Sequence, residues 1–263
     1  MPFDPTSASR AVLIEVMNLL GVFRDELVIV GGWVPELLYP NAGHMGSLDV
    51  DLAVSPHALG TNQYETILKR LLDAGYEHKA PPTHFLKHVA GVEKRVKIDL
   101  ITGQYASGGK ADAIQINELR ISTLKGIDLA FDACDEIELT GPLPDGTHNV
   151  VRARIVRPEA FILIKAFALD ERMKDRDAYD IAFVLQNFQP SVAALATRVQ
   201  AQLANGLAMD GYRVLKSKFG SLDSVGPVWA AKIARSVGVD FEQARRSAFE
   251  NAKELFGLVD GKK

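Results

Sequence analysis

The sequence predicts an α+β protein: a mixed sheet with flanking helices over residues 1–156, followed by a helical C-terminal domain over residues 157–263. Three observations predict it. Short apolar runs with period-two alternation fill the first part, helical periodicity fills the second, and 47% apolar residues in a chain of 263 can bury a core in each.

Residues 9–20 place Val12, Val16, Leu19 and Leu20 at helical spacing and stop at Gly21, which reads as an opening helix. The β-branched run LVIV at 27–30 ends in Gly31 and Gly32, a buried strand feeding a tight turn. WVPELLYP reads as a short helix closed by Pro40, and SLDVDLAV alternates apolar with acidic residues as a half-exposed strand does. Residues 61–74 form an amphipathic helix ended by Gly75. FLKHVAG and RVKIDLIT supply two more strands, and DEIEL and NVVRARIV a hairpin around the turn formers of GPLPDGT. From Arg157 the pattern changes: Pro158 and Glu159 suit a first helical turn, and apolar positions recur at helical spacing to Phe256.

Composition narrows the function classes. The net charge of −3 offers no global field for nucleic acid, so an RNA partner would need a local patch, such as Lys87, Lys94, Arg95 and Lys97, or Arg152, Arg154 and Arg157. No apolar run is long enough to cross a bilayer and the N-terminus lacks a signal-peptide order, so a cytoplasmic location without a membrane partner is expected. Cys134, the single cysteine, excludes an intrachain disulfide or a multi-cysteine zinc site. GQYASGGKAD lacks the spacing of a phosphate-binding loop and reads as a plain loop, and no HExxH or GxSxG motif occurs.

The chemistry concentrates elsewhere. Asp49 and Asp51, one residue apart on a predicted strand, send both carboxylates from one face. Adjacent carboxylates repel unless a cation lies between them, and Mg2+ takes oxygen ligands while keeping waters and substrate phosphates. Asp99 repeats the pattern on a second strand, so the three acids suit metal ions that hold a nucleoside triphosphate. Gly31 and Gly32, without β-carbons, let backbone amides approach phosphate oxygens, and Ser47 can offer a hydroxyl to the same group. The bland alternative is a strand with exposed acids beside a routine turn.

The order VIVGGWVPELLYP, GSLDVDLAV, KIDLI resembles the signature of the polymerase-beta-type nucleotidyltransferase superfamily. RPEAFILIKAFALDERMKDRDAYDI is similar to the downstream motif of the AbiEii-type toxin nucleotidyltransferases. The matched motifs lie between residues 28 and 186. The resemblance implies a nucleotidyltransferase-like sheet and nucleotidyl transfer from a nucleoside triphosphate to an acceptor hydroxyl. It also implies a toxin of a toxin-antitoxin pair, with transfer RNA or another RNA as acceptor and a cognate antitoxin as partner. By that match Lys165 binds phosphate, with Asp177 and Asp180 as paired acids; Asp49, Asp51 and Asp99 hold the metal, and Asp99 is also a candidate general base.

Lys165 and Arg172 also lie on one side of a predicted helix, and a lysine among apolar residues needs an anion. Phosphate could serve, or Asp177 and Asp180, in which case the set is a salt-bridge network. Two rival functions stay open: a small-molecule, antibiotic-type nucleotidyltransferase whose cationic acceptor would meet Glu36, Asp170 and Glu171, and a catalytically silent binding module. His44, His84 and His88 lie close to the motifs as further candidates.

Overall fold

The computed structural model describes residues 3–59, 63–79, 84–104, 113–116 and 119–261. Residues 105–112 of the glycine-rich stretch, and 61–62 of the helix expected over 61–74, lie outside the described residues. The chain forms two compact units, residues 1–34 with 46–156, and residues 35–45 with 157–263.

In the first unit α1 (Pro5–Leu19) is followed by β1 (Leu27–Val30), a 3-10 turn over Gly31–Trp33, and the start of α2 (Val34–Leu38). Next come β2 (Asp49–Val54), α3 (Pro56–Leu59), α4 (Gln63–Asp73), β3 (Glu77–Lys79), β4 (His84–Lys87) and β5 (Val96–Gly103). β6 (Ala113–Ile116), β7 (Leu119–Leu124), α5 (Leu129–Asp132), β8 (Cys134–Pro142) and β9 (His148–Val156) complete it. Among the described residues the strands form a nine-stranded mixed sheet in the order β3-β4-β5-β2-β1-β9-β8, with β7 pairing β5 and β6. All four residues of β1 are buried, as a continuous apolar run in a central strand requires. The expected GPLPDGT hairpin is β8–β9, in register from Cys134–Val156 to Pro142–His148.

The opening helix begins earlier than its apolar spacing suggests. Asp4 caps it, accepting from the amides of Thr6 and Ser7 at 2.9 and 3.1 Å, and Pro5 fills the first helical position. β3, β6 and β7 have no counterpart in the sequence reading. β3 is a polar segment whose strand form rests on pairing with β4, and no periodicity announces that.

The second unit contains the rest of α2 and α6 (Pro158–Arg172), α7 (Asp175–Asn187), α8 (Val192–Gln202), α9 (Gly206–Phe219), α10 (Val225–Ser236) and α11 (Phe241–Asp260). Helix α6 is buried around its whole circumference from Pro158 to Leu169, which marks it as the axis of this unit. Gly211 lets α9 approach it: a β-carbon there would lie 3.1 Å from the Phe167 ring and 3.2 Å from Leu163. Residues 35–45 fall in this unit, whereas a single boundary at 156 places them in the first. The reason is apolar packing, with Tyr39 and Met45 seated against Tyr179, Phe183 and Ala234. No helix of the described residues is long and apolar enough to cross a membrane.

Candidate functional site

Strands β2 and β5 run parallel, with Asp51 opposite Asp99 and Asp49 opposite Lys97. Val50, Leu52, Ile98 and Leu100 are fully buried on the opposite face. Strand alternation therefore puts Asp49, Asp51, Lys97 and Asp99 together on one face, held by an apolar anchor behind. β1 is antiparallel to β2 with Val30 opposite Asp51, so the chain leaves β1 beside the acids.

The glycine pair is shaped to those acids. Gly31 has φ +73°, and a β-carbon on it would lie 2.0 Å from Oδ2 of Asp51. One on Gly32 would lie 2.9 Å from Oγ of Ser47. Ser47 in turn donates to the carbonyl oxygen of Asp49 at 2.9 Å. Gly31, Gly32, Ser47, Asp49, Asp51 and Asp99 are thus gathered in one place, as their motifs suggest. The helix that follows the glycines is only five residues long, so its dipole adds little at this turn.

Lys97, which the sequence presents only as part of a basic patch, sits among these acids. Its Nζ lies 2.6 Å from Oδ2 of Asp99 and 3.6 Å from Oδ2 of Asp49. Burial pushes the Lys97 ammonium's pKa down, but the hydrogen bond to Asp99 and the charges of Asp99, Asp49 and Asp51 outweigh it, leaving the pKa raised. The signal was available: Lys97 stands two residues before Asp99, the spacing that puts strand side chains on one face. His84 is in register with Asp99 on β4, whereas His88 is exposed.

Among the described residues no three His, Cys, Asp or Glu side chains form a ready-made metal cage. The acids nevertheless fit Mg2+, which uses one or two carboxylates and fills its other positions with water and substrate phosphate. The Lys97 ammonium stands between Asp49 and Asp99, where such a cation would be attracted.

The second group of candidate residues forms its own cluster in the helical unit. Lys165 Nζ lies 2.8 Å from Oδ1 of Asp177 and 2.8 Å from Oδ2 of Asp180, and all three side chains are buried. Arg172 donates to both oxygens of Asp177 at 3.1 Å. Arg176 Nε lies 3.6 Å from Oδ1 of Asp180, and His44 Nε2 is 3.1 Å from the same oxygen. Burial alone would lower the pKa of Lys165, but Asp180 and Asp177 raise it; burial alone would raise that of Asp180, but Lys165, His44 and Arg176 lower it. Both groups are held ionised. The geometry matches the salt-bridge alternative, since a phosphate would have to displace a carboxylate to reach Lys165.

The basic residues are largely occupied by neighbours. Lys87 lies 3.3 Å from Glu15 and donates to the Ala74 carbonyl, Arg95 pairs with Glu77, and Arg152 lies 3.6 Å from Glu136. Arg154 donates to the Asp25 carbonyl and lies 2.8 Å from Sγ of the half-buried Cys134. Of the acids proposed for a cationic acceptor, Asp170 is bound to Lys218 at 2.6 Å.

No family model matches the chain, and no curated protein matches it in sequence. Among solved structures the chain is similar to a "putative nucleotidyltransferase from H. pylori", at 16% sequence identity over 96% of this chain and 98% of that one, with a TM-score of 0.37.

Proposed function

We propose that the chain is a Mg2+-dependent nucleotidyltransferase that moves a nucleotidyl group from a nucleoside triphosphate to an acceptor hydroxyl. One observation carries the reading: Asp51 stands in register with Asp99, Asp49 shares their face, and the missing β-carbon of Gly31 makes the room that Asp51 occupies. The amides of Gly31 and Gly32 are the groups assigned to phosphate oxygens, joined by Ser47 once its hydroxyl turns from the Asp49 carbonyl. The acceptor oxygen forms a bond to the α-phosphorus, the bond from that phosphorus to the bridging oxygen breaks, and pyrophosphate leaves. The hydroxyl proton passes to a carboxylate, for which Asp99 is the assigned base. Bound Mg2+ would neutralise charge on the triphosphate and polarise the reacting oxygens. Lys165, Arg172, Asp177 and Asp180 are assigned a positioning role as the charged centre of α6 and α7.

Motif resemblance supports the finer reading, in which the acceptor is RNA, transfer RNA in particular, and the chain is the toxin of a pair with a cognate antitoxin. The test is incubation with each labelled nucleoside triphosphate, total RNA and Mg2+, followed by separation of the products. Label in an RNA species with wild type and none with Asp51→Asn is expected. Label in no RNA species would overturn RNA as the acceptor, and absence of any Mg2+-dependent stabilisation by a nucleoside triphosphate would overturn the transferase reading.

One observation favours a second reading, a nucleotidyltransferase-like module without catalysis. Lys97 already neutralises part of the acidic face, as a lysine does in a structural ion pair. Under that reading, nucleoside triphosphates give no Mg2+-dependent stabilisation.

A further inference from the structure

The helical unit contains a cavity of about 190 Å³ between α7, α10 and α11, bordered by Ala42 and Gly43. Among the described residues its lining carries no charged side chain. Tyr179 and Phe183 supply aromatic surface, Gln186, Asn187 and Gln243 supply amides, and alanines of the three helices leave the space unfilled. We propose that this cavity is a binding site for a nucleobase, an uncharged planar heteroaromatic ring with hydrogen-bonding edges.

Each part of the lining selects for that chemistry. A charged ligand entering a neutral pocket would lose hydration without gaining a partner, so phosphates and cations are disfavoured inside it. Flat aromatic surface favours a flat ligand, since every base has a π-face that stacks on such a ring. The amides favour a ligand whose edge donates and accepts, which separates a base from a plain hydrocarbon ring. Asn187 uses its Nδ2 on the Phe183 carbonyl at 2.9 Å, which leaves its side-chain oxygen to accept. The volume lies below the roughly 300–1,000 Å³ of drug-sized sites, which suits one ring system and excludes a whole nucleotide.

The aromatic wall is preorganised. The His44 ring stacks on Tyr179 with centroids 5.3 Å apart and meets Phe183 edge-on at 4.8 Å, and Asp180 fixes His44 from its other side at 3.1 Å. Tyr179 and Phe183 are each less than a tenth exposed, so neither ring has to be ordered when a ligand arrives. This pocket shares no residue with the acidic face of β2 and β5 and does not rest on the transferase reading. Its base could come from a free nucleoside or from an unpaired nucleotide of RNA.

The test uses the full chain, with adenosine, guanosine, cytidine, uridine and a short single-stranded RNA as probes, followed by saturation-transfer NMR and calorimetry. At least one nucleoside is expected to bind, with Ala234→Leu weakening it roughly tenfold or more by occupying the space. The corresponding triphosphate should bind this pocket no more tightly than its nucleoside. Loss of RNA binding in Ala234→Leu along with nucleoside binding assigns the base to RNA; loss of nucleoside binding alone assigns it to a free nucleoside. If Ala234→Leu does not fold, Gln186→Ala with Gln243→Ala at the rim should weaken binding or erase discrimination among the four bases. Absence of nucleoside and RNA binding, or binding indifferent to these substitutions, would overturn the proposal. Asp51→Asn, which tests the transferase reading, should leave nucleoside binding here unchanged.

Discussion

Gly31 and Asp51 compete for one space: a β-carbon on the glycine would lie 2.0 Å from Oδ2 of the acid. The glycine therefore serves a side chain on the neighbouring strand as well as its own turn, and the two positions should be coupled. Gly31→Ala is expected to cost about 1–3 kcal/mol, from a left-handed alanine and a displaced carboxylate. Urea unfolding of Gly31→Ala, Asp51→Gly and the double variant should give a coupling of about 1 kcal/mol or more. Additive effects would show that the close approach does not matter.

Asp51→Asn and Asp99→Asn preserve shape and remove charge. Each is expected to lower Mg2+-dependent nucleotidyl transfer by orders of magnitude, about several kcal/mol of lost stabilisation. Stability without ligand should change little, because the pairing of Asp99 with Lys97 is partly exposed and such pairs contribute about 0.2–1 kcal/mol. Single-turnover transfer and melting temperature, measured side by side, separate the two effects. Wild-type transfer in either variant would exclude that acid from the reaction.

Lys97→Met should raise the affinity for Mg2+ by roughly threefold to tenfold, because the metal no longer competes with an internal ammonium. The metal-free protein should become slightly less stable, since Asp49 and Asp99 lose their counter-ion. Titration of Mg2+ followed by thermal shift, without nucleotide, reads both. Unchanged affinity would mean that Lys97 and the metal do not share a position.

The helical cluster makes a stability prediction independent of activity. Lys165→Met leaves Asp177 and Asp180 buried with less compensation and should cost about 3–5 kcal/mol. Preserved stability together with lost nucleotide binding would restore Lys165 as a phosphate ligand.

The same cluster has a defined pH window. Asp180 is held below its ordinary value, with burial opposing and Lys165, His44 and Arg176 prevailing, so its contribution is present above the unfolded pKa of about 3.9 and disappears as pH falls through the lower native value. Lys165 is raised, so its contribution is present below about 10.4 and disappears as pH rises past the native value. Denaturation midpoints against pH should therefore show an acid limb that Asp180→Asn flattens. An identical acid limb in the variant would exclude Asp180 as its source.

By itself the sequence determined which residues could share a face and where the sheet region gives way to helices. Period-two alternation puts Asp49 with Asp51, and the same rule applied to Lys97 and Asp99 would have found the lysine. Glycine at 31 and 32, Pro158 at a helix start and the turn of the β8–β9 hairpin are likewise local, because each depends on backbone preferences of a few neighbouring residues. Only the tertiary structure decided that β2 and β5 are parallel neighbours with Asp51 opposite Asp99, since register between distant strands is set by packing of their buried faces. It also decided that residues 35–45 join the helical unit, where Tyr39 and Met45 find an apolar surface. The partner of Lys165 was open for the same reason. Helical spacing puts Lys165 and Arg172 on one side of a helix, but which anion neutralises a buried ammonium depends on the neighbouring helix, and here α7 supplies two carboxylates at 2.8 Å.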